Sequence, residues 1–194
     1  ENEEYISIDT EFIRDNTYFS KLCLIQVASK NHSFIIDPLK EELNLDSFRK
    51  ILKKNSIIKI FHSGRQDMEI FYHLFGELPK PIYDTQIAAM VCGFGDQVSY
   101  ENLVNTLLSI RIDKSSRVSN WSFRPLTEKQ IKYALSDVTH LVRIYEKLKN
   151  QISNENRSLW IEDEMKSLAE IKNYEINPSD AWMKIKIKST KREY

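Results

Sequence analysis

Apolar and polar residues alternate from Tyr5 to Asp9 (YISID), and this period of two predicts a strand that ends in an acid. Residues 21–28 (KLCLIQVA) and 32–36 (HSFII) read as two further strands, with Ser29 to Asn31 as the turn between them. Three strands in succession predict an antiparallel meander. The period then changes. Over residues 44–54, Leu45, Phe48, Ile51 and Leu52 fall on one face at helical spacing. Residues 57–61 (IIKIF) predict a short buried strand, and a helix follows over about 65–75. Pro79 and Pro81 break the chain before a last short strand at Ile82–Tyr83. Helices are predicted near 84–91, 99–108 and 128–149, and residues 152–173 form another, with Leu159, Ile161, Met165, Leu168 and Ile171 as its apolar positions. Strands first and helices interleaved afterwards predict an α/β fold: a mixed sheet of about five strands flanked by helices, with a C-terminal helical extension.

Composition adds bounds. A chain of 194 residues with 41% hydrophobic residues suits one globular domain with an appendage, divided here into 1–150 and 151–194. Its apolar runs, such as 56–61, are too short to cross a bilayer, so no membrane partner is expected. Glu1, Asn2, Glu3 and Glu4 have the wrong chemistry for a signal peptide, and a start without Met reads as an excised or processed end. Cys23 and Cys92 sit in apolar stretches and read as buried free thiols in a reducing, cytoplasmic compartment. No Cys-x-x-Cys pair is present to hold zinc. The net charge is zero, 28 basic against 28 acidic residues. The balance is uneven: Trp182 to Arg192 is strongly basic, while acids crowd 1–11 and 162–175. An enzyme that gathers carboxylates around cations also lowers its own charge, so the neutral balance does not decide the partner.

Several of those acids stand in unusual places. Asp9 and Glu11 are two apart on a strand, hence side by side on one face, where their charges repel unless a cation or proton intervenes; a water-exposed strand end is the alternative. On the helix 65–75, Met68, Phe71, Leu74 and Phe75 form an apolar stripe, and Asp67 falls within it. A carboxylate buried there needs a partner, unless it caps the helix N-terminus. On the helix 128–149 the inner stripe is Ile131, Ala134, Leu135, Val138, Val142 and Tyr145, and the solvated side is Lys129, Lys132, Arg143 and Lys147. Tyr133 and Asp137, four apart, lie on the border between them, as a cleft-lining pair or an ordinary boundary pair would. Acids from three segments offer hard oxygen ligands, which suit Mg²⁺ or Mn²⁺ rather than zinc. His32, His62 and His73 lack ligand spacing.

These residues sit in motifs that resemble the ribonuclease D family, within the DEDD superfamily of 3′→5′ exonucleases. The first is Asp9-Thr10-Glu11-Phe12, followed by Thr17-Tyr18-Phe19, Leu24-Ile25-Gln26 and Asp37-Pro38-Leu39. The second is Phe61-His62-Ser63-Gly64-Arg65-Gln66-Asp67, with Tyr83-Asp84-Thr85-Gln86 downstream. The third is Tyr133-Ala134-Leu135-Ser136-Asp137-Val138, preceded by the loop Ser119-Asn120-Trp121-Ser122-Phe123-Arg124-Pro125-Leu126. A lone Asp-Thr-Glu is weak; three motifs in order with the intervening signatures are specific. Asn177-Pro178-Ser179-Asp180-Ala181-Trp182 resembles the approach to a helical HRDC domain, which would be absent or truncated here.

The resemblance implies a ribonuclease H-like α/β core with Asp9, Glu11, Asp67 and Asp137 as metal ligands, and Tyr133 beside the attacking water, as in the tyrosine subtype. Two divalent cations, Mg²⁺ or Mn²⁺, about 3.5–4 Å apart would clamp the phosphodiester. The implied partner is the single-stranded 3′ end of RNA, as in transfer RNA maturation, with release of nucleoside 5′-monophosphates. Thr10, Phe12, His62, Gln66, Trp121 and Arg124 are the candidate substrate contacts. Phe12 either stacks on terminal bases or packs into the core, according to whether the strand ends or continues. A DNA exonuclease of proofreading or repair type would use the same acids. A non-catalytic nucleic-acid-binding module would usually have lost one or more of them.

Overall fold

Nine residues alternate between two faces in β1 (Tyr5–Ile13), four more than the sequence pattern predicts. In the computed structural model, which describes residues 3–14, 17–113, 115 and 119–175, this strand is the centre of the sheet. The segments Asn177–Trp182 and Trp182–Arg192 lie outside the described residues. β2 (Lys21–Ala28) and β3 (Ser33–Ile36) complete the expected meander, antiparallel throughout. Then follow α1 (Asp46–Lys53), β4 (Ile58–Phe61), α2 (Arg65–Phe75), β5 (Ile82–Asp84), α3 (Thr85–Val91), α4 (Tyr100–Leu108), α5 (Glu128–Asn154) and α6 (Ser158–Leu168). The sheet order is β3-β2-β1-β4-β5, with β4 parallel to β1 and β5 parallel to β4. The expected mixed five-stranded sheet with flanking helices and a helical C-terminal region is therefore present.

The alternation on β1 sorts its side chains. Ile6 and Ile8 enter a core with Phe48 and Leu52 of α1 and Met68 and Phe71 of α2. Ser7 faces the other way and donates to the main-chain carbonyl of Val138 on α5 at 2.8 Å. Asp9 and Glu11 share the Ser7 face and so look toward α5. Opposite them, β2 carries an extra residue: Glu11 pairs with Leu24 but Phe12 with Leu22, leaving Cys23 in a bulge.

α5 runs five residues past the expected end. It is held at its start by a capping box in which Thr127 and Gln130 satisfy each other's backbone N–H groups. Its 27 residues span about 40 Å across β1 to β4 and bury Ala134, Val138, Leu141, Val142 and Tyr145. The helix expected over 152–173 is corrected. Its first turn belongs to α5, Asn156 adopts a left-handed φ of 56° that an α-helix cannot contain, and α6 starts afresh at Ser158. Ile161 and Met165 are buried as expected, but Leu159 is 74% exposed. On α2, Ile70 is buried where Leu74, at 47% exposure, was expected.

The turn from β4 into α2 is tight. Ser63 has a φ of 56°, and a Cβ on Gly64 would lie 2.5 Å from the Phe61 Cβ and 2.8 Å from its Cγ. Buried Asp84, at the end of β5, accepts from the backbone N–H groups of Ser63 (3.0 Å), Gly64 (2.8 Å) and Gln86 (2.8 Å). One carboxylate thus caps α3 and locks the turn that launches α2. Gly64→Ala should overpack this turn and destabilise the fold by about 1–3 kcal/mol. Urea unfolding reads this directly, and an unchanged midpoint would show that Phe61 yields without cost.

Candidate active site

The parallel strands β1, β4 and β5 end along one edge of the sheet, and the acids gather there. Asp9 and Glu11 lie on the α5 face of β1, and Asp137 faces them from the middle of α5. Carboxylate oxygens of these three lie within 4.8 Å of one another. Asp67, in the first turn of α2, is 7% exposed and accepts from the Thr10 hydroxyl at 2.5 Å. It stands beside the close triad rather than inside it, near enough for its charge to act on Glu11.

Crowding and burial perturb Asp9, Glu11 and Asp67. Loss of water pushes Asp9 up to about 6. Glu11 is pushed up to about 9, by burial first and then by Asp9, Asp137 and Asp67. Asp67 rises well above the usual carboxylate range through burial, then through Asp9. Tyr133 is raised by burial and by Asp137, with which its hydroxyl shares a hydrogen bond, so it stays a neutral phenol.

A cavity of about 360 Å³ opens on this cluster, lined by Asp9, Tyr133 and Asp137 together with His62, Tyr100 and Glu101. No lysine or arginine is among its described lining residues. The His62 imidazole is anchored by Nδ1 on the Thr85 hydroxyl at 3.0 Å, and its buried Nε2 has no hydrogen-bond partner among the described residues. Burial pushes it below the ordinary histidine value, so it is neutral near pH 7. Tyr100, at the start of α4, donates to the main-chain carbonyl of Asp137 and packs on the His62 ring with centroids 5.3 Å apart. Three to four oxygen donors, with no lysine or arginine among the described residues lining the cavity, fit a hard divalent metal.

The sequence-derived substrate contacts divide. His62 lines the cavity. Gln66 is exposed beside Asp67. Phe12 is half-buried on the face of β1 opposite Glu11, because the strand continues to Ile13. Three others have their side chains engaged within the fold. Thr10 has its hydroxyl committed to Asp67 and is buried. Trp121 is 2% exposed and packs behind Tyr133, ring centroids 6.1 Å apart. Arg124 spends all five N–H donors within the fold: two on Asp37 (2.8 and 2.7 Å), and one each on the carbonyls of Trp121, Phe123 and Cys23 at 2.8 Å. That clamp fixes the loop leading into α5, and it explains Asp37 in the motif after the third strand. Tyr100 was not singled out from sequence. Its only local signal is its place directly after the capping Ser99 of a predicted helix.

Known proteins resemble this chain in sequence and fold. The 3′-5′ exonuclease family matches residues 1–153. Ribonuclease D of Bartonella henselae is 46% identical over 190 residues, covering 98% of this chain and 47% of the relative. The enzyme of the same name from Jannaschia sp. is 44% identical over 191 residues, covering 96% and 50%. The chain thus spans about half the length of the curated relatives it matches. Among solved structures, Escherichia coli RNase D, described as an exoribonuclease involved in structured RNA processing, is 36% identical with a TM-score of 0.88 over 94% of this chain and 48% of that one. Brucella melitensis NrnC with bound Mg²⁺ is 27% identical with a TM-score of 0.79, covering 96% and 90%. With its acids gathered at one sheet edge and a family match across β1 to α5, the chain belongs to the 3′-5′ exonuclease family.

Proposed function

We propose that this chain is a metal-dependent 3′→5′ exoribonuclease that hydrolyses phosphodiesters from the single-stranded 3′ end of RNA and releases nucleoside 5′-monophosphates. The observation that carries the reading is the convergence of Asp9, Glu11 and Asp137 within 4.8 Å, with Asp9 and Asp137 at the wall of a nucleotide-sized cavity. RNA is preferred over DNA because the relatives are named ribonuclease D and the E. coli neighbour is an exoribonuclease of structured RNA. NrnC, solved with bound Mg²⁺ and with bound pGG, supports the metal and the nucleotide at such a site.

Asp9, Glu11, Asp67 and Asp137 would hold two cations, Mg²⁺ or Mn²⁺. The cations supply, when bound, polarisation of a water and neutralisation of the charge that gathers on the phosphate. Thr10 fixes Asp67 through its hydroxyl, and Tyr100 fixes Asp137 through its carbonyl. The neutral Tyr133 hydroxyl orients the attacking water by a hydrogen bond; a phenol raised above its ordinary value cannot take a proton near pH 7. The His62 Nε2 meets the terminal nucleotide. The cavity admits one nucleotide, which restricts cleavage to the strand end.

Residues up to the end of α5 form the catalytic unit, and the remainder is an extension in which α6 packs on α3 and β5. No described helix is long and apolar enough to cross a membrane. The free thiols of Cys23 and Cys92 support a reducing, cytoplasmic site of action.

Asp9→Asn and Asp137→Asn should each lower turnover on a labelled oligoribonucleotide by at least about 10²-fold while the melting temperature holds or rises. Undiminished turnover in either variant defeats the assignment. Tyr133→Phe should slow turnover by about 10-fold to 10²-fold with metal affinity within about twofold. Loss of the metal in that variant, read by calorimetric titration, would make Tyr133 part of the metal site instead.

A pH dependence follows from the raised carboxyls. Their folded values, about 6 for Asp9 and about 9 for Glu11, exceed those of an unfolded chain. Their protonated forms therefore favour folding at low pH, and this contribution is lost as the pH rises through about 6 and then about 9. Metal reverses the trend, because it binds the deprotonated ligands. The rise in melting temperature on adding Mg²⁺ should be larger at about pH 8 than at about pH 6. A gain that shrinks with pH would contradict the ligand set.

A further inference from the structure

A second cavity of about 400 Å³ adjoins the catalytic one and shares its Ile112 and Tyr133 walls. Its character is different. Arg111, Lys129, Lys132 and His140 line it, against a single carboxylate, Asp113. Among the described residues, Arg111, Lys129 and Lys132 form no salt bridge, and all three are exposed. Asp113 is itself engaged by the Ser115 N–H at 2.9 Å; its carboxyl lies below the ordinary range through those Ser115 hydrogen bonds and then through Lys129 and Lys132.

Helical spacing explains the adjacency. Tyr133, Asp137 and Leu141 recur every four residues on α5 and face the catalytic cavity. Lys129, Lys132, Ser136 and His140 run along the neighbouring line of the same helix and face the second cavity. Lys132 and Lys129 are set about 7.5 Å and about 12 Å from Asp137 along the helix axis. A strand held at Asp137 by its last phosphodiester would pass close to both.

We infer that this basic groove binds the phosphodiester backbone behind the terminal nucleotide and supplies the strand affinity of a chain with no net charge. The inference rests on the exonuclease reading of the adjoining site. A phosphate backbone needs cations, and the catalytic cavity has no lysine or arginine among its described lining residues. The groove offers three cations, one tyrosine ring and one imidazole, Tyr133 and His140, so its charge for the backbone outweighs its surface for stacking successive bases. RNA and DNA single strands both present that charge, so the groove does not discriminate between them.

Binding is read separately from cleavage. In an Asp9→Asn background with Mg²⁺, fluorescence anisotropy would follow a single-stranded RNA of about twelve nucleotides, the matching DNA, and a dinucleotide. Lys129→Glu with Lys132→Glu should weaken both long strands by about 10-fold, and the slope of log affinity against log salt should flatten by about 0.7 for each phosphate no longer neutralised. Dinucleotide affinity should change less than about twofold. Lys50→Glu with Lys147→Glu, exposed sites on α1 and further along α5, makes the same charge change away from the groove and should have little effect. If the reversals disturb the melting temperature, Lys129→Gln with Lys132→Gln repeats the test with smaller disturbance. Unchanged long-strand affinity and salt slope would overturn the proposal, as would an equal loss in the control pair or on the dinucleotide. Strand binding through the lysines in a parent chain that cleaves neither the RNA nor the DNA would defeat the exonuclease reading and leave the groove standing. Cleavage that is insensitive to the lysines would do the reverse.

Discussion

Carboxylates crowded out of water set the terms for the rest of this molecule. Removing an ionised carboxylate from water costs several kcal/mol, and like charges at this spacing add repulsion. Asp9, Glu11 and Asp137 bear both costs within a space of 4.8 Å, with Asp67 alongside. The raised values of Asp9, Glu11 and Asp67 register that strain. A scaffold that tolerates it must hold the acids on rigid elements. Here they come from a central strand paired on both sides, the first turn of a helix packed in the core, and the middle of a 27-residue helix.

The acids outside the cluster make a useful contrast. Asp37 has a bidentate arginine and lies below the usual carboxylate range. Asp84 has three backbone N–H donors. Both are satisfied by the protein and both do structural work, one tying down the loop before α5 and the other the turn before α2. The clustered acids receive hydrogen bonds too, from Thr10 on Asp67 and Tyr133 on Asp137, yet burial leaves Asp9, Glu11 and Asp67 above the ordinary carboxylate range. That opposite direction separates a group kept for an external cation from a group kept for the fold.

Much of this was legible in the sequence. The alternation in residues 5–9 and the helical spacing of 65–75 and 128–149 placed the acid-bearing elements, because burying one face of a strand or helix leaves a periodic trace. Asp67 stood out because a carboxylate on an apolar stripe breaks that trace. The burial of Trp121 and the internal bonds of Arg124 were not legible, because a residue type reveals which bonds it can make, not which partners reach it. The five acceptors around Arg124 come from positions up to 101 residues away. The break at Asn156 escaped notice because apolar spacing continues through it, while the left-handed turn depends on local backbone geometry. Tyr100 and the basic groove were invisible for a further reason: each is defined by the docking of the α4 region against α5.

The central claim is that these four acids share a pair of hard cations. Crystals soaked with Mn²⁺ and a nucleoside 5′-monophosphate test it most directly, because anomalous scattering locates manganese independently of the rest of the density. The account predicts two peaks bridged by Asp9, Glu11, Asp67 and Asp137, with the phosphate beside them. Peaks elsewhere, or none between these carboxylates at saturating Mn²⁺, would contradict it.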